Sequence, residues 1–182
     1  MKNGNFRWAF RIFVLSIFLS IVFSMFSQSI FPNLPSYISV FVIFFFIAVS
    51  GVFDMIGIAI TSTDKEKLSA YADQKGFKMG LKLCENTDKI SSFCGDVVGD
   101  ICGILSGAGG VSLVVSFSIK NPTVYFIITC LISSLIAGLT IFLKAILKTY
   151  GIKNGPKIVM KTAKILESRP FSLFRGKKKR NL

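Results

Sequence analysis

Phe93–Ile119, FCGDVVGDICGILSGAGGVSLVVSFSI, is the stretch on which the fold turns. It exceeds the roughly 20 residues that a bilayer core demands, yet it carries two carboxylates, Asp96 and Asp100. Four residues apart, they share one helix face. Gly95, Gly99, Gly103 and Gly107 run beside them at the same spacing. A third acid, Asp54, lies in an equally apolar block upstream. An ionised carboxylate deep in a membrane helix costs about 2.5 kcal/mol or more, so such groups face protein or water and take a proton, a cation or a basic partner.

Working outward, three more blocks have the length of a span: about Trp8 to Phe31, Tyr37 to Thr61, and Thr123 to Leu147. The chain is 182 residues long, 52% hydrophobic, with 19 Phe and a mean hydropathy of +0.63. Pro32 and Pro35 mark the break between the first two blocks. The first block, which begins with Lys2, Arg7 and Arg11, is expected to stay as a span. It is longer than a signal-peptide core and has no clear small-x-small cleavage site.

Basic residues set the expected orientation. Lys2, Arg7 and Arg11, the loop lysines 65, 67, 75, 78, 82 and 89, and the run from Lys144 onward fall on one side of four crossings, leaving Lys120 on the other. Both termini are therefore expected in the cytoplasm of a multi-pass inner-membrane protein. The net charge of +13 then addresses anionic lipid headgroups rather than nucleic acid.

Thr63–Ser92 reads as a helical hairpin, capped by Thr63 or Asp64 and broken near Gly76. In the C-terminal segment, Lys153, Lys157, Lys161 and Lys164 form a basic face suited to a helix lying on the bilayer surface. The Lys177–Arg180 run closes a basic tail. Cys84, Cys94, Cys102 and Cys130 show no paired spacing and there is no histidine, so free thiols are expected rather than a zinc site.

From Ser39 to Pro170 the order of motifs resembles the membrane domain of the CNNM/CorC (CorB) magnesium transporters. The likeness rests on SGVFDMIGIAITSTDKEKL (Ser50–Leu68), SAYADQKGFKMGLKLCENTDKISSFCGDVVGDI after it, and LKTYGIKNGPKIVMKTAKIL near the end. The resemblance implies three spans, a cytoplasmic hairpin, a closing belt helix, and a homodimer whose acidic cavity holds a magnesium ion. The chain is expected to depart from the family in an extra first span and in ending where the family continues into regulatory domains. The family's S-G-S-E falls on Asp54–Gly57, its G-N-x-x-x-N on Gly95–Asp100, and its G-E-x-x-P-K on Leu139–Lys144. Thr140 stands for the last glutamate and Lys144 is kept.

The resulting expectation is an all-α integral membrane protein of four transmembrane helices, with a juxtamembrane hairpin and an amphipathic belt helix. It divides into an extra helix and link (1–36), a CNNM-like domain (37–170) and a basic tail (171–182). No reaction is catalysed. Asp54, Asp96 and Asp100 are the candidate ligands for a divalent cation, because hard oxygen donors suit magnesium. Ser50, Ser106, Ser134 and Thr140 are further oxygens in the spans. In the structural alternative, Asp96 complements a helix N-terminus, while Asp54 or Asp100 pairs with Lys144. The glycines either let helices approach closely or free carbonyls toward an ion, and Gly107–Gly110 is expected to bend or interrupt the third helix. The competing functions are a non-transporting scaffold that has lost the ion site and, on size and basicity alone, a small membrane-acting or immunity-type protein.

Overall fold

The computed structural model describes residues 3–168. The tail 171–182, the Lys177–Arg180 run and the side chains of Lys2 and Arg7 lie outside what it describes. Among the described residues four helices are long and apolar enough to cross a membrane, and the fold is all-α. They are α1 (Asn3–Ile30), α2 (Ser36–Thr61), the rod Thr87–Ser116, and α7 (Pro122–Lys153). The rod consists of α5 (Thr87–Ser92), a π-helical turn (Phe93–Val98) and α6 (Gly99–Ser116). Three shorter helices complete the chain: α3 (Lys65–Ser69), α4 (Phe77–Glu85) and α8 (Gly155–Ser168).

Local chemistry sets the helix ends. Pro35 stands at the N-cap of α2. At α7, Asn121 Oδ1 accepts from the backbone N–H groups of Thr123 (3.0 Å) and Val124 (3.3 Å), with Pro122 behind it. That capping is worth about 1 kcal/mol. Asp64 occupies the N-cap of α3 without a side-chain capping bond, while Thr63 Oγ1 donates back to Ala59 O, 2.6 Å. Gly76 caps α4 at φ +94°. A Cβ there would meet Lys164 N at 3.1 Å. Gly76→Ala is therefore expected to destabilise by about 1–2 kcal/mol, seen as a lower melting temperature in detergent.

The rod is the centre of the bundle although it is the least apolar span. Of its most hydrophobic window 44% is buried, against 0% for α7. It runs antiparallel to α2 in a register that can be followed end to end. Ser36 and Ser116 share a hydrogen bond of 3.0 Å, Ile43 lies against Gly109, Ser50 Oγ donates to Gly99 O at 3.4 Å, and Gly57 lies against Ser91 O. α7 runs parallel to α2, with Leu147 against Gly51, Gly151 against Met55 and Gly155 against Ala59 and Thr63. The turns 34–35 and 117–121 thus share one end of the bundle. The segment 62–86 and Asn154 share the other.

Hydrocarbon offers no hydrophobic drive between spans, so small residues that permit close contact decide which helices meet. A Cβ on Gly109 would lie 2.7 Å from Phe31 Cε1 and 2.9 Å from Ile43 Cγ1, and one on Gly110 would lie 2.5 Å from Ile136 Cδ1. These glycines seat neighbouring side chains, and the helix continues unbroken to Ser116. No interruption falls at 107–110; the irregular turn sits at Phe93–Val98. Gly109→Val or Gly110→Val is expected to cost about 1–3 kcal/mol through overpacking and to lower the melting temperature in detergent. Gly138→Ala, with nothing within 4 Å, should leave it unchanged.

Beyond the apolar blocks, a second core joins the end of α2 to the short helices. Leu68, Leu83, Val159, Met160 and Ala163 close on Ala59 and Ile60, all buried. Where water surrounds such a core it drives packing, at about 1.5–3 kcal/mol for each large side chain. α8 is thereby fixed against α2 and α4, and it presents Lys157, Lys161 and Lys164 outward.

Candidate functional site

The register of α2 against the rod places the polar residues of the spans at two levels. At the first, Asp54 Oδ1 lies 3.4 Å from where a Cβ on Gly95 would stand, beside the π turn that carries Asp96. One turn deeper, a Cβ on Gly99 would lie 3.3 Å from Lys144 Nζ and 3.8 Å from Ser50 Oγ, beside Asp100. Asp54 thus shares its depth with Asp96, and Ser50 shares its depth with Asp100. Counted from Thr61, Asp54 is about 10 Å into the helix; counted from Thr87, Asp96 is about 13 Å and Asp100 about 20 Å in.

Orientation separates the carboxylates further. Asp54 is half-buried, whereas Asp96 and Asp100 are exposed on the outward face of the rod. Gly103 and Gly107 continue beyond them with nothing within 4 Å of a Cβ. Residues four apart precess by about 40° at each step in an α-helix. The glycine series therefore winds round the rod: Gly95 and Gly99 face α2 and α7, Gly103 and Gly107 face away. π-helical turns are rare and recur at functional sites, and this one holds Asp96.

Among the described residues no group of three or more His, Cys, Asp or Glu is gathered closely enough to hold a metal ion. The ion pairs found among them, Lys65–Glu85 and Lys67–Asp64, lie outside the spans. Lys144 approaches neither Asp54 nor Asp100 within 4.0 Å; its ammonium lies beside Gly99, 3.3 Å from where a Cβ would stand, a position that Ser50 Oγ borders at 3.8 Å. Of the other candidate oxygens, Ser106 donates to Gly103 O (3.0 Å) and Thr140 to Ile136 O (2.7 Å), each within its own helix. Ser134 is exposed.

All four cysteines are free. At Cys84, outside the spans, burial pushes the thiol above its ordinary range while Lys65 pulls the other way. A protonated thiol is a poor metal ligand.

Sequence reading missed a second pair of small residues four apart, Gly151 and Gly155, which brings the end of α7 onto Met55 and Thr63. Their spacing was the available signal. It also missed Tyr71 and Gln74 as neighbours of the α8 lysines, a contact that no spacing encodes. Comparison with family models, with curated proteins and with solved structures finds no match for this chain.

Proposed function

We propose that the chain is a CNNM-like membrane protein that pairs with a second copy through the outward face of the rod. The pair binds and transports a divalent cation, magnesium foremost, between facing carboxylates. The observation that carries this reading is the exposure of Asp96 and Asp100 on one face of an otherwise apolar span. Lipid cannot satisfy two carboxylates there, so protein or water must cover them. Gly103 and Gly107 on the same face leave room for a partner helix to approach closely. Two copies would oppose four carboxylates, with Asp54 of each chain at the depth of Asp96. An all-oxygen donor set suits magnesium, which retains several waters.

In this reading the end of the bundle that carries 62–86 and α8 faces the cytoplasm, the hairpin and α8 lie along the inner leaflet, and both termini are cytoplasmic. Twelve lysines from Lys65 to Lys164 cluster at that end or on the spans leading to it, and Lys120 stands at the other. A reporter fused after Leu182 is expected to be active in its cytoplasmic form; activity only outside the membrane overturns the four-crossing arrangement.

A second reading, a scaffold or regulatory partner that no longer moves ions, is favoured by Lys144. Its ammonium places a tethered cation at the polar centre of the single chain, beside Gly99. Rescue of magnesium-starved cells separates the two. Transport requires that the wild type rescues and that the Asp54/Asp96/Asp100 triple alanine variant does not. Equal rescue by both removes the aspartates from the mechanism, and rescue by neither supports the scaffold.

A further inference from the structure

We propose that the groove between α8 and the connection 70–76 is a discrete binding site for the phosphate of an anionic lipid headgroup. This goes beyond ion transport and rests only on the membrane placement given above. The groove has a volume of about 340 Å³ and is lined by Tyr71, Gln74, Lys157, Met160, Lys161 and Lys164. No acid lines it, and none of its lysines has an ion-pair partner within 4.0 Å among the described residues.

Three features make it a site rather than a diffuse basic surface. Lys157, Lys161 and Lys164 follow helical spacing, so their ammonium groups converge on one side of α8. Lys164 Nζ is held by a hydrogen bond to Gln74 Oε1, 3.1 Å, which orients it across the groove. The floor is Met160, 2% exposed and locked in the second core, so the walls cannot drift apart without breaking that core.

Position selects a lipid over a soluble phosphate. Lys157 follows Lys153, the last residue of α7, by only four residues across the turn at Asn154. Gly155, at the start of α8, lies against the end of α2. The groove therefore opens at headgroup level, where Tyr71 is also the residue type enriched at membrane interfaces.

The test titrates detergent-purified full-length protein with short-chain phosphatidylglycerol, phosphatidylcholine or inorganic phosphate, following bound lipid by native mass spectrometry. Saturable binding of phosphatidylglycerol is expected, at least about tenfold tighter than phosphatidylcholine. The Lys157→Gln/Lys161→Gln/Lys164→Gln variant should lose that preference, and a Lys78→Gln/Lys82→Gln/Lys89→Gln variant, with equal charge removed from the hairpin, should keep it. Gln74→Glu, which leaves every lysine in place, should weaken binding as well. Equal loss in both triple variants overturns the proposal in favour of diffuse attraction. Inorganic phosphate competing at the same concentration as phosphatidylglycerol overturns the lipid assignment. Carbonate extraction of each variant reports membrane integration, so failure of the groove is distinguished from failure of the membrane placement.

Discussion

Asp100→Ala is expected to abolish magnesium flux into proteoliposomes while the protein still inserts and remains folded. Asp100 is exposed on the rod with no ion-pair partner among the described residues, so its removal breaks no contact that holds the single chain together. In the proposed pair, any charge interaction it makes lies between the two copies. Removing one member of a desolvated charge pair costs about 3–5 kcal/mol, more than about a hundredfold in affinity. Asp96→Ala should behave alike. Asp54→Ala should be milder in binding but should also disturb packing, because Asp54 is half-buried against Gly95. A purely structural role for Asp100 would reverse the pattern, with lost stability and retained flux.

Gly107→Leu is expected to convert dimer to monomer without lowering the stability of the monomer. Nothing lies within 4 Å of a Cβ at Gly107, so the chain by itself offers a larger side chain room at its first carbon. A partner rod pressed against the same face does not, and overpacking there costs about 1–3 kcal/mol in each of the two copies. Light scattering in detergent at several protein concentrations reads the shift. Gly109→Val, two residues on, should do the opposite and damage the monomer, since its space is filled by Phe31 and Ile43. If both substitutions act on the monomer alone, the outward face is not where copies meet.

The two variants also mark how far sequence reached. Hydropathy located all four spans, because the length of apolar block is set directly by bilayer thickness. It misplaced ends where a helix continues past its apolar block. The third was expected from Phe93 and begins at Thr87; the fourth was expected to end at Leu147 and runs to Lys153. In both cases the extra turns are polar, and polarity ends the hydropathy signal without ending the helix. The break near Gly76 was legible because a left-handed position favours glycine. The glycine series was read as one ladder. Its gradual winding divides it between an inner pair and an outer pair, and spacing by four does not reveal this until the precession is followed over three steps.

The acids were legible as anomalies, but their directions were not. Asp96 and Asp100 point away from Asp54's side because Cys94, Val97, Cys102 and Leu105 take the buried face of the rod. Burial of those apolar residues fixes the rotation of the helix, and the carboxylates follow. Lys144 was legible as the basic residue at the inner end of the last span. Its place beside Gly99, which Ser50 also borders, depends on three helices meeting, which pairwise spacing does not encode.

Equilibrium binding of magnesium to the purified protein tests the central claim most directly, comparing the wild type with the near-isosteric Asp96→Asn/Asp100→Asn variant. Saturable binding by the wild type, lost in the variant while its melting temperature without magnesium is unchanged, is the result expected here. Equal binding by the two proteins would contradict it.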